Sequence, residues 1–287
     1  MDNESNAAES PTNSDYALDN AGREASSRFD ALAAMYDPGT IRHLEERGIS
    51  SGWHCLEVGG GGGSIAAWLA ARVGSAGYVL ATDIDPRFLE SLTVPNLEVR
   101  RHDIVNDPLP EAAFDLVHSR LVLLHVPERE KALARMVAAL KPGGWLVDEE
   151  FDASSIPPNP VANPGEVLLK TLTATRRVMQ DRGADDRVFA RRLFNRFRAH
   201  GLVDVEAQGS LSMWHSGSPG AALLRANFEQ LHRTMIDVGY ITEEEFKQDL
   251  AHLDDPDFMM PSPIMWTVWG RRPLIPDSPF EAKPLAD

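Results

Sequence analysis

The chain has 287 residues, of which 43% are hydrophobic and 25% are charged, a composition typical of a folded globular protein with a core of its own. The formal net charge of −15 argues against a nucleic-acid partner, because proteins that bind phosphate backbones present a basic face. Cys55 is the single cysteine, which excludes an intramolecular disulfide and favours the reducing cytoplasm as the location. No apolar run approaches the ~20 residues that cross a bilayer, so we expect no membrane partner.

The N-terminal part of the chain contains two kinds of segment. Residues 1–15 are rich in Asn, Ser, Glu and Pro, which predicts a disordered tail. Residues 16–49 carry apolar side chains at helical spacing and predict helices. The segment 37–40, Asp-Pro-Gly-Thr, is a turn signal, so we expect a break there and a second helix that Thr40 caps.

From residue 50 to residue 152, short apolar strands alternate with helical segments. The predicted strands cover 55–58, 77–83, 97–102, 114–119 and 145–151. The predicted helices cover 64–73, 86–92 and 128–140. Such alternation implies βαβ units and a mostly parallel sheet with right-handed crossovers.

The pattern changes after residue 152, where four prolines predict an extended loop over 155–164. Beyond that loop we expect helices and strands in alternation. The helices cover 167–182, 186–200, 219–238 and 242–253, and the strands cover 203–207 and 264–269. We therefore predict one α/β domain over 50–287, with helical insertions at about 156–183 and 210–260 that form a lid above the C-terminal edge of the sheet.

The most informative segment is a run of five glycines between a predicted strand and a predicted helix, Glu57-Val58-Gly59-Gly60-Gly61-Gly62-Gly63-Ser64. Glycines permit positive φ angles and let a ligand approach the backbone, and the helix N-terminus presents free N–H groups. Asp83 lies 24 positions after Gly59 at the end of the next strand, where a βαβ cofactor site places a carboxylate on ribose hydroxyls. The structural alternatives are a flexible turn for the glycines and a helix cap for Asp83, although Asp85 precedes Pro86 and suits that cap better.

Two features argue against a nicotinamide dinucleotide as the ligand. The dinucleotide fingerprint requires a third glycine where this chain has Ser64, three residues after Gly61. Glu57 also stands two residues before the first glycine, where its charge would repel a pyrophosphate. A carboxylate at this position suits a ligand that carries a cationic amine and a sulfonium.

Together these residues resemble motif I of the class I S-adenosylmethionine-dependent methyltransferases, in their small-molecule type. Three further segments of this chain resemble other motifs of that family. They are Arg101-His102-Asp103-Ile104, Phe114-Asp115-Leu116-Val117 and Leu140-Lys141-Pro142-Gly143-Gly144-Trp145-Leu146. The similarity covers about 50–155 and, loosely, 267–270. It implies a three-layer, Rossmann-like α/β fold of about seven strands, in which 203–207 and 264–269 are the sixth and seventh.

The resemblance also implies S-adenosylmethionine as the cofactor and S-adenosylhomocysteine as its product. Asp83 resembles the family's ribose-binding acid, and Asp103 resembles the acid that faces the adenine amino group. The helices of 16–49 are expected to cover the cofactor, with Tyr36 or Thr40 at the methionine moiety and Arg120 at its carboxylate. The expected cofactor-binding residues are Tyr36, Glu57, Gly59, Gly61, Gly63, Asp83, Ile84, Asp103, Ile104, Ser119 and Arg120.

His125 follows the fourth strand at the cofactor edge and is the candidate general base, because histidine titrates near neutrality. The alternative is a structural histidine that is hydrogen-bonded to its own loop. Asp148, Glu150 and Asp152 are predicted on one face of the fifth strand and Glu149 on the other. Burial of so many acids requires that at least one be paired or functional. No cluster of cysteine and histidine suggests a metal site.

The expected reaction is methyl transfer to an oxygen, nitrogen or carbon atom of a small, largely apolar metabolite, in secondary metabolism. Two alternatives stay open, because a fold does not determine a reaction. One is a non-methylating reaction such as cyclisation on the same fold, and the other is a cofactor-sensing module without turnover. The expected partners are the small-molecule acceptor and a second copy of the chain in a homodimer, with neither nucleic acid nor membrane.

Overall fold

The computed structural model describes Leu18 and residues 24–155, 166–182 and 188–274. The strands are β1 (His54–Val58), β2 (Tyr78–Asp83), β3 (Leu97–Arg101), β4 (Phe114–Arg120), β5 (Leu140–Asp152), β6 (Val203–Ser210), β7 (Met213–His215), β8 (Met259–Pro261) and β9 (Ile264–Arg271). The α-helices are α1 (Glu24–Glu46), α2 (Ser64–Val73), α3 (Arg129–Ala139), α4 (Glu166–Asp181), α5 (Phe189–Ala199), α6 (Pro219–Asp237) and α7 (Glu243–Leu253). The tail predicted for 1–15 and most of the loop predicted for 155–164 lie outside the described residues.

Seven strands form one sheet in the order β3-β2-β1-β4-β5-β9-β6. Neighbours among β1 to β5 are parallel, whereas β9 runs antiparallel to both β5 and β6. The chain order reverses between β1 and β4, and open α/β sheets bind ligands beyond the carboxyl ends of the strands at such a point. The predicted α/β fold with a seven-stranded, Rossmann-like sheet is confirmed.

Helices cover both faces of the sheet and leave separate apolar cores on each side. The core under α3 and α5 includes Leu56, Val117, Leu133, Leu193 and Phe197. The core under α2 and the end of α1 includes Leu44, Cys55, Leu69, Val79 and Val147. A third core lies between α4, α6 and α7 and includes Phe228, Leu231, Met235, Phe246 and Phe258. We call these three helices, together with β7 and β8, the cap.

Helix α1 connects the cap to the sheet. Leu32 and Met35, in its N-terminal half, pack against the cap core, whereas Leu44, near its end, is fully buried against the sheet. The helix runs unbroken through Pro38, so the turn predicted at 37–40 is wrong. A proline inside a helix costs up to ~3 kcal/mol, and burial of both halves of α1 offsets that cost. Thr40 consequently does not cap a second helix.

Two further differences follow from short elements. The helix predicted over 86–92 is reduced to one 3₁₀ turn, Leu89–Ser91. β7 and β8 pair as a two-stranded antiparallel ribbon that periodicity missed, because each strand has only three residues. Within the described ranges, no helix combines the length and the apolar character needed to cross a bilayer.

Candidate active site

The glycine loop connects β1 to α2 at the point where the strand order reverses. Gly59, Gly61 and Gly63 have φ angles of 65°, 51° and 84°, whereas the two intervening glycines are outside the positive-φ region. A left-handed backbone costs an ordinary L-residue about 1–2 kcal/mol. The alternating spacing of the motif therefore corresponds to the three positions at which the backbone itself requires glycine.

Side chains from two other elements pack directly on this loop. A Cβ placed on Gly61 would lie 2.7 Å from Cε1 of Phe29 in α1, and one on Gly62 would lie 2.8 Å from the Phe29 Cβ. A Cβ placed on Gly59 would lie 2.3 Å from Cγ2 of Val122, which follows β4. All three distances are shorter than van der Waals contact, so Phe29 and Val122 pack directly against the backbone of the glycine loop. We call the loop and these two side chains the cradle.

A cavity of about 550 Å³ opens beside the loop, within the ~300–1,000 Å³ range of small-molecule sites. Eight of the predicted site residues line it, namely Gly59, Gly61, Asp83, Ile84, Asp103, Ile104, Arg120 and His125. Helices α1, α4 and α6 contribute Phe29, Leu32, Met179, Leu223 and Asn227 to the same wall. The topology thus brings together residues that are far apart in the chain.

Four predicted residues lie outside this cavity. Glu57 lines a second cavity of about 110 Å³, which Phe29 and Arg120 also line. Gly63 stands at the start of α2. Ser119 and Tyr36 line neither of these cavities in the part of the chain that the structure describes.

Tyr36 packs against Phe151, which lines the large cavity, with 5.6 Å between the ring centroids. Burial raises the pKa of the Tyr36 hydroxyl well above its usual range. Ser119 is fully buried and donates a hydrogen bond to Asp148. Neither side chain lines the two cavities in the described part of the chain, and the cofactor contacts expected of them stay predictions.

Asp83 is buried at the end of β2 with its carboxylate held by the backbone. Its Oδ2 accepts the N–H of Gly61 at 3.0 Å, and its Oδ1 accepts the N–H of Asp85 at 2.9 Å. Burial raises the pKa of this carboxyl, and the two N–H donors oppose the shift. Asp83 thus orders the glycine loop as well as facing the cavity, and it caps no α-helix, since only the 3₁₀ turn follows.

Asp103 follows β3 and stabilises its own turn. Its carboxylate accepts the backbone N–H of Val105 and the side-chain amide of Asn106, both at 2.8 Å. Partial burial raises the pKa of Asp103, but these hydrogen bonds outweigh burial and hold it below its usual value. The group is therefore a carboxylate that the turn orients at the cavity wall.

A buried ionic triad lies next to the glycine loop. Nδ1 of His118 donates to Oε2 of Glu57 at 2.7 Å, and its Nε2 lies 3.5 Å from Oε2 of Glu149, an ion-pair distance. Burial lowers the pKa of His118, but the two carboxylates outweigh burial and raise it to about 9. At neutral pH the imidazole is therefore a cation between two anions, and it occupies one oxygen of Glu57.

Glu149 joins this triad to α1. Its Oε1 accepts the Thr267 hydroxyl at 2.8 Å, and its Oε2 accepts the Thr40 hydroxyl. Burial raises the pKa of Glu149, but the hydrogen bond and charge of His118 outweigh burial and lower it to about 2. Arg120 adds a second link, since its Nη atoms donate to Thr40 Oγ1 and Asp37 Oδ1, both at 2.9 Å.

The predicted alternation of acids on β5 is observed, and each acid has a partner. Asp152 accepts from Arg191 at 2.8 Å. Oε1 of Glu150 accepts the N–H groups of Val122 at 3.0 Å and Leu123 at 2.6 Å, which fixes the segment after β4. Burial raises the pKa of Glu150 well above its usual value. This acid therefore supports the turn that carries His125.

His125 ends the 3₁₀ turn Leu123–His125 and lines the cavity. Burial, together with the positive charges of Arg28 and Arg129, lowers its pKa to about 3. The imidazole is therefore uncharged at neutral pH, and it is a weaker base than its residue type suggests.

The cavity residues that the sequence did not predict include two polar residues beneath the cap, Arg28 and Asn227. Arg28 of α1 is buried and donates to the Leu18 carbonyl at 3.1 Å, while Asn227 of α6 lines the cavity. A signal for the second existed, because Leu223, Asn227 and Leu231 follow each other at four-residue spacing on α6. A polar amide inside an apolar helical stripe requires a hydrogen-bonding partner.

One segment of the chain, which includes most of the site, matches a known family. Residues 56–148 match the family model described as a methyltransferase domain. This segment carries the glycine loop, Asp83, Asp103 and His125. This match supports the class of protein that the sequence resembles, the class I S-adenosylmethionine-dependent methyltransferases, and S-adenosylmethionine as the predicted cofactor.

Among curated proteins, the chain is similar to a methyltransferase of Strobilurus tenacellus, with 33% identity over 131 residues that cover 45% of this chain and 46% of that protein. It is also similar to a ubiquinone/menaquinone biosynthesis C-methyltransferase of Pseudomonas putida. The identity there is 32% over 143 residues, covering 43% of this chain and 56% of the relative. The chain spans about half the length of the curated relatives it matches.

Solved structures with the same fold include Haemonchus contortus phosphoethanolamine N-methyltransferase 2 in complex with phosphomonomethylethanolamine and S-adenosylhomocysteine. The TM-score is 0.53 at 15% identity, covering 90% of this chain and 59% of that one. The YcgJ protein of Bacillus subtilis gives a TM-score of 0.53 at 13% identity, covering 81% and 97%. At these identities the likeness shows the fold.

Proposed function

We propose that the chain transfers the methyl group of S-adenosylmethionine to an oxygen, nitrogen or carbon atom of a small acceptor. The observation that carries this proposal is one cavity that joins the glycine loop and Asp83 to side chains of α1, α4 and α6. Cofactor and acceptor can then meet in one space. Bound S-adenosylmethionine supplies a methyl carbon activated by a sulfonium, so the protein's main tasks are to orient the acceptor and exclude water.

The sheet edge is proposed to hold the adenosine part of the cofactor. Gly59 and Gly61 let it approach the backbone, and the Asp83 carboxylate accepts hydrogen bonds from ribose hydroxyls. Asp103 is proposed to accept from the adenine amino group. Ile84 and Ile104, which follow the two acids, supply apolar contact beside the adenine.

The smaller cavity is proposed to hold the methionine part. Glu57 and Arg120 both line it, and their opposite charges match an ammonium and a carboxylate. Oε2 of Glu57 is engaged by His118, so its Oε1 is the atom proposed to accept from the amino group. Gly63 and α2 supply the helix N-terminus beside it, where the helix dipole favours the carboxylate end.

The cap is proposed to serve as the lid over the acceptor, with α1 as the cover of the cofactor. Leu32, Met179 and Leu223 make this part of the cavity apolar, which suits a small metabolite with an apolar body. The acidic net charge supports an acceptor other than nucleic acid, and the buried Cys55 suits a cytoplasmic protein. Secondary metabolism and a homodimer stay predictions.

Calorimetric titration of the purified chain with S-adenosylmethionine, S-adenosylhomocysteine and NAD tests the proposal. We expect micromolar binding of the first two and none of NAD. Release of S-adenosylhomocysteine in the presence of candidate acceptors then separates an enzyme from a sensing module. Binding of NAD alone would overturn the assignment of the glycine loop.

Asp83→Ala is expected to weaken S-adenosylhomocysteine binding by roughly 1–3 kcal/mol, because the charged hydrogen-bond acceptor at the ribose is lost and the Gly61 N–H loses its partner. Calorimetry measures the change. Asp85→Ala is the matched control and should leave affinity unchanged, since the Asp85 carboxylate pairs with Arg87 and lines neither cavity. Equal affinity of wild type and Asp83→Ala would remove Asp83 from the cofactor site.

His125 remains the proposed base, acting as a neutral imidazole that accepts the acceptor's proton. His125→Ala is expected to slow turnover by ~100-fold, measured with an acceptor found in the screen. Because its pKa is lowered to about 3, the wild-type rate should show no inflection from His125 between pH 5 and 8. His215→Ala, on β7 of the cap, is the control, and a near-normal rate for His125→Ala would assign His125 a structural role.

A further inference from the structure

The cap side of the cavity wall contains a buried polar atom to which the described residues supply no hydrogen bond. Oδ1 of Asn227 has no solvent contact and accepts no hydrogen bond from the described part of the chain. A buried amide oxygen without a donor costs ~1–3 kcal/mol, so native proteins keep such groups where a ligand or water satisfies them. Asn227 lines the large cavity, and a turn about the terminal torsion of its side chain, which is broad for an amide, brings Oδ1 to a molecule bound there.

The surroundings of Asn227 restrict which molecule that is. Leu223, one turn earlier on α6, lines the same cavity, as do Leu32 of α1 and Met179 of α4. Among the described cavity residues of α1, α4 and α6, none is acidic. The acceptor therefore finds an apolar wall in which the Asn227 amide is the neutral hydrogen-bonding group.

The charged cavity residues on the side of the cap are arginines: Arg28 of α1, which is buried, and Arg182, which directly follows α4. The acids of the lining, Asp83, Asp103 and Glu128, stand at or beyond the ends of β2, β3 and β4. The positive charges of Arg28 and Arg129 add to the effect of burial in lowering the pKa of His125, so they disfavour protonation of its imidazole. The positive charge of the arginines also disfavours an ammonium group on an acceptor bound beside them, because like charges repel strongly where water is excluded.

We infer that Asn227 selects the acceptor: its amide oxygen accepts a hydrogen bond from a hydroxyl on an acceptor that has an apolar body and no positive charge. This inference rests on the proposed methyl transfer, since it concerns the acceptor half of the same cavity. A site that hydrogen-bonds a hydroxyl rejects analogues without it, because its buried polar group is then left unpaired.

The test measures binding to the protein saturated with S-adenosylhomocysteine, using calorimetry and two size-matched probe sets. The one-ring set is phenol, toluene and benzylammonium, and the two-ring set is 2-naphthol, 2-methylnaphthalene and 2-naphthylmethylammonium. We expect about tenfold tighter binding of the hydroxyl member than of either other member in at least one set. Asn227→Leu should abolish the preference for hydroxyl over methyl, and Asn227→Asp should improve binding of the ammonium probe.

Two readouts separate this effect from damage to the fold. Asn227→Leu should keep wild-type affinity for S-adenosylhomocysteine and equal or higher thermal stability, because it removes an unpaired buried polar group. Glu229→Leu, at an exposed position of the same helix, should leave the probe preference unchanged. If S-adenosylhomocysteine binds but neither set shows a hydroxyl preference, or if the preference survives in Asn227→Leu, the inference is wrong. If S-adenosylhomocysteine itself does not bind, the proposed function fails.

Discussion

His118→Leu is expected to reduce the free energy of unfolding by about 3–5 kcal/mol near neutral pH, the cost of breaking a buried ion pair from one side. His118 is fully buried between Glu57 and Glu149, so its removal leaves two carboxylates without their cation. Chemical denaturation with urea measures the change. The same variant should bind S-adenosylhomocysteine more weakly, because Glu57 lies next to the glycine loop.

The pH dependence of this loss follows from the raised pKa of His118. A histidine whose pKa rises from 6.5 to about 9 on folding contributes stability that is complete below pH 6.5 and disappears as the pH rises through 9. That contribution is about 3 kcal/mol, because a tenfold change in proton affinity corresponds to ~1.4 kcal/mol. Wild-type stability should therefore fall between pH 6.5 and 9, and the variant should lack this slope.

The control is His200→Leu, since Nε2 of His200 lies 3.2 Å from Oε2 of Glu130, a pair whose carboxylate is 47% exposed. A surface pair contributes about 0–1 kcal/mol, so this variant should keep both stability and slope. If His118→Leu lost less than about 1 kcal/mol, or kept the wild-type slope above pH 6.5, the imidazole would not be the cation of a buried triad.

Gly61→Ala is expected to weaken S-adenosylhomocysteine binding by at least ~100-fold, or about 2.7 kcal/mol. The residue has a φ of 51°, and a Cβ there would lie 2.7 Å from Cε1 of Phe29. That ring also contacts Phe88, at 5.1 Å between centroids, so it is held on a second side. Displacement of the loop would also break the hydrogen bond from Gly61 to Asp83.

Gly48→Ala separates backbone strain from the effect on the site. Gly48 has a φ of 81°, and an added Cβ meets nothing within 4 Å among the described residues. It should therefore lose about 1–2 kcal/mol of stability from strain without losing affinity. Equal affinity of Gly61→Ala and wild type, measured by calorimetry, would mean that the cradle tolerates a side chain and that the motif glycines serve folding only.

The local patterns of the chain predicted most of the sheet and of the cofactor edge. Strand and helix periods, read in order, indicated β1 to β5 and the glycine loop. The position of Asp83 after the next strand then followed from βαβ geometry. Predictions that depended on a single side chain fared differently. Ser119 and Tyr36 were predicted to contact the cofactor, but in the structure Ser119 bonds Asp148, Tyr36 packs on Phe151, and neither is among the cavity-lining residues that the structure describes.

The sequence by itself determined the fold class and the edge of the sheet at which the site lies. Both depend on residue spacing along the chain, and local periodicity records that spacing. Only the tertiary structure decided the unbroken path of α1, the charge of His118 and the lack of a hydrogen-bond donor to Oδ1 of Asn227 among the described residues. Each of these depends on contacts between distant elements and on the removal of water around them. Pro38 is tolerated because α1 is buried at both ends, and His118 is a cation because Glu57 and Glu149, 61 residues before it and 31 after it, enclose it.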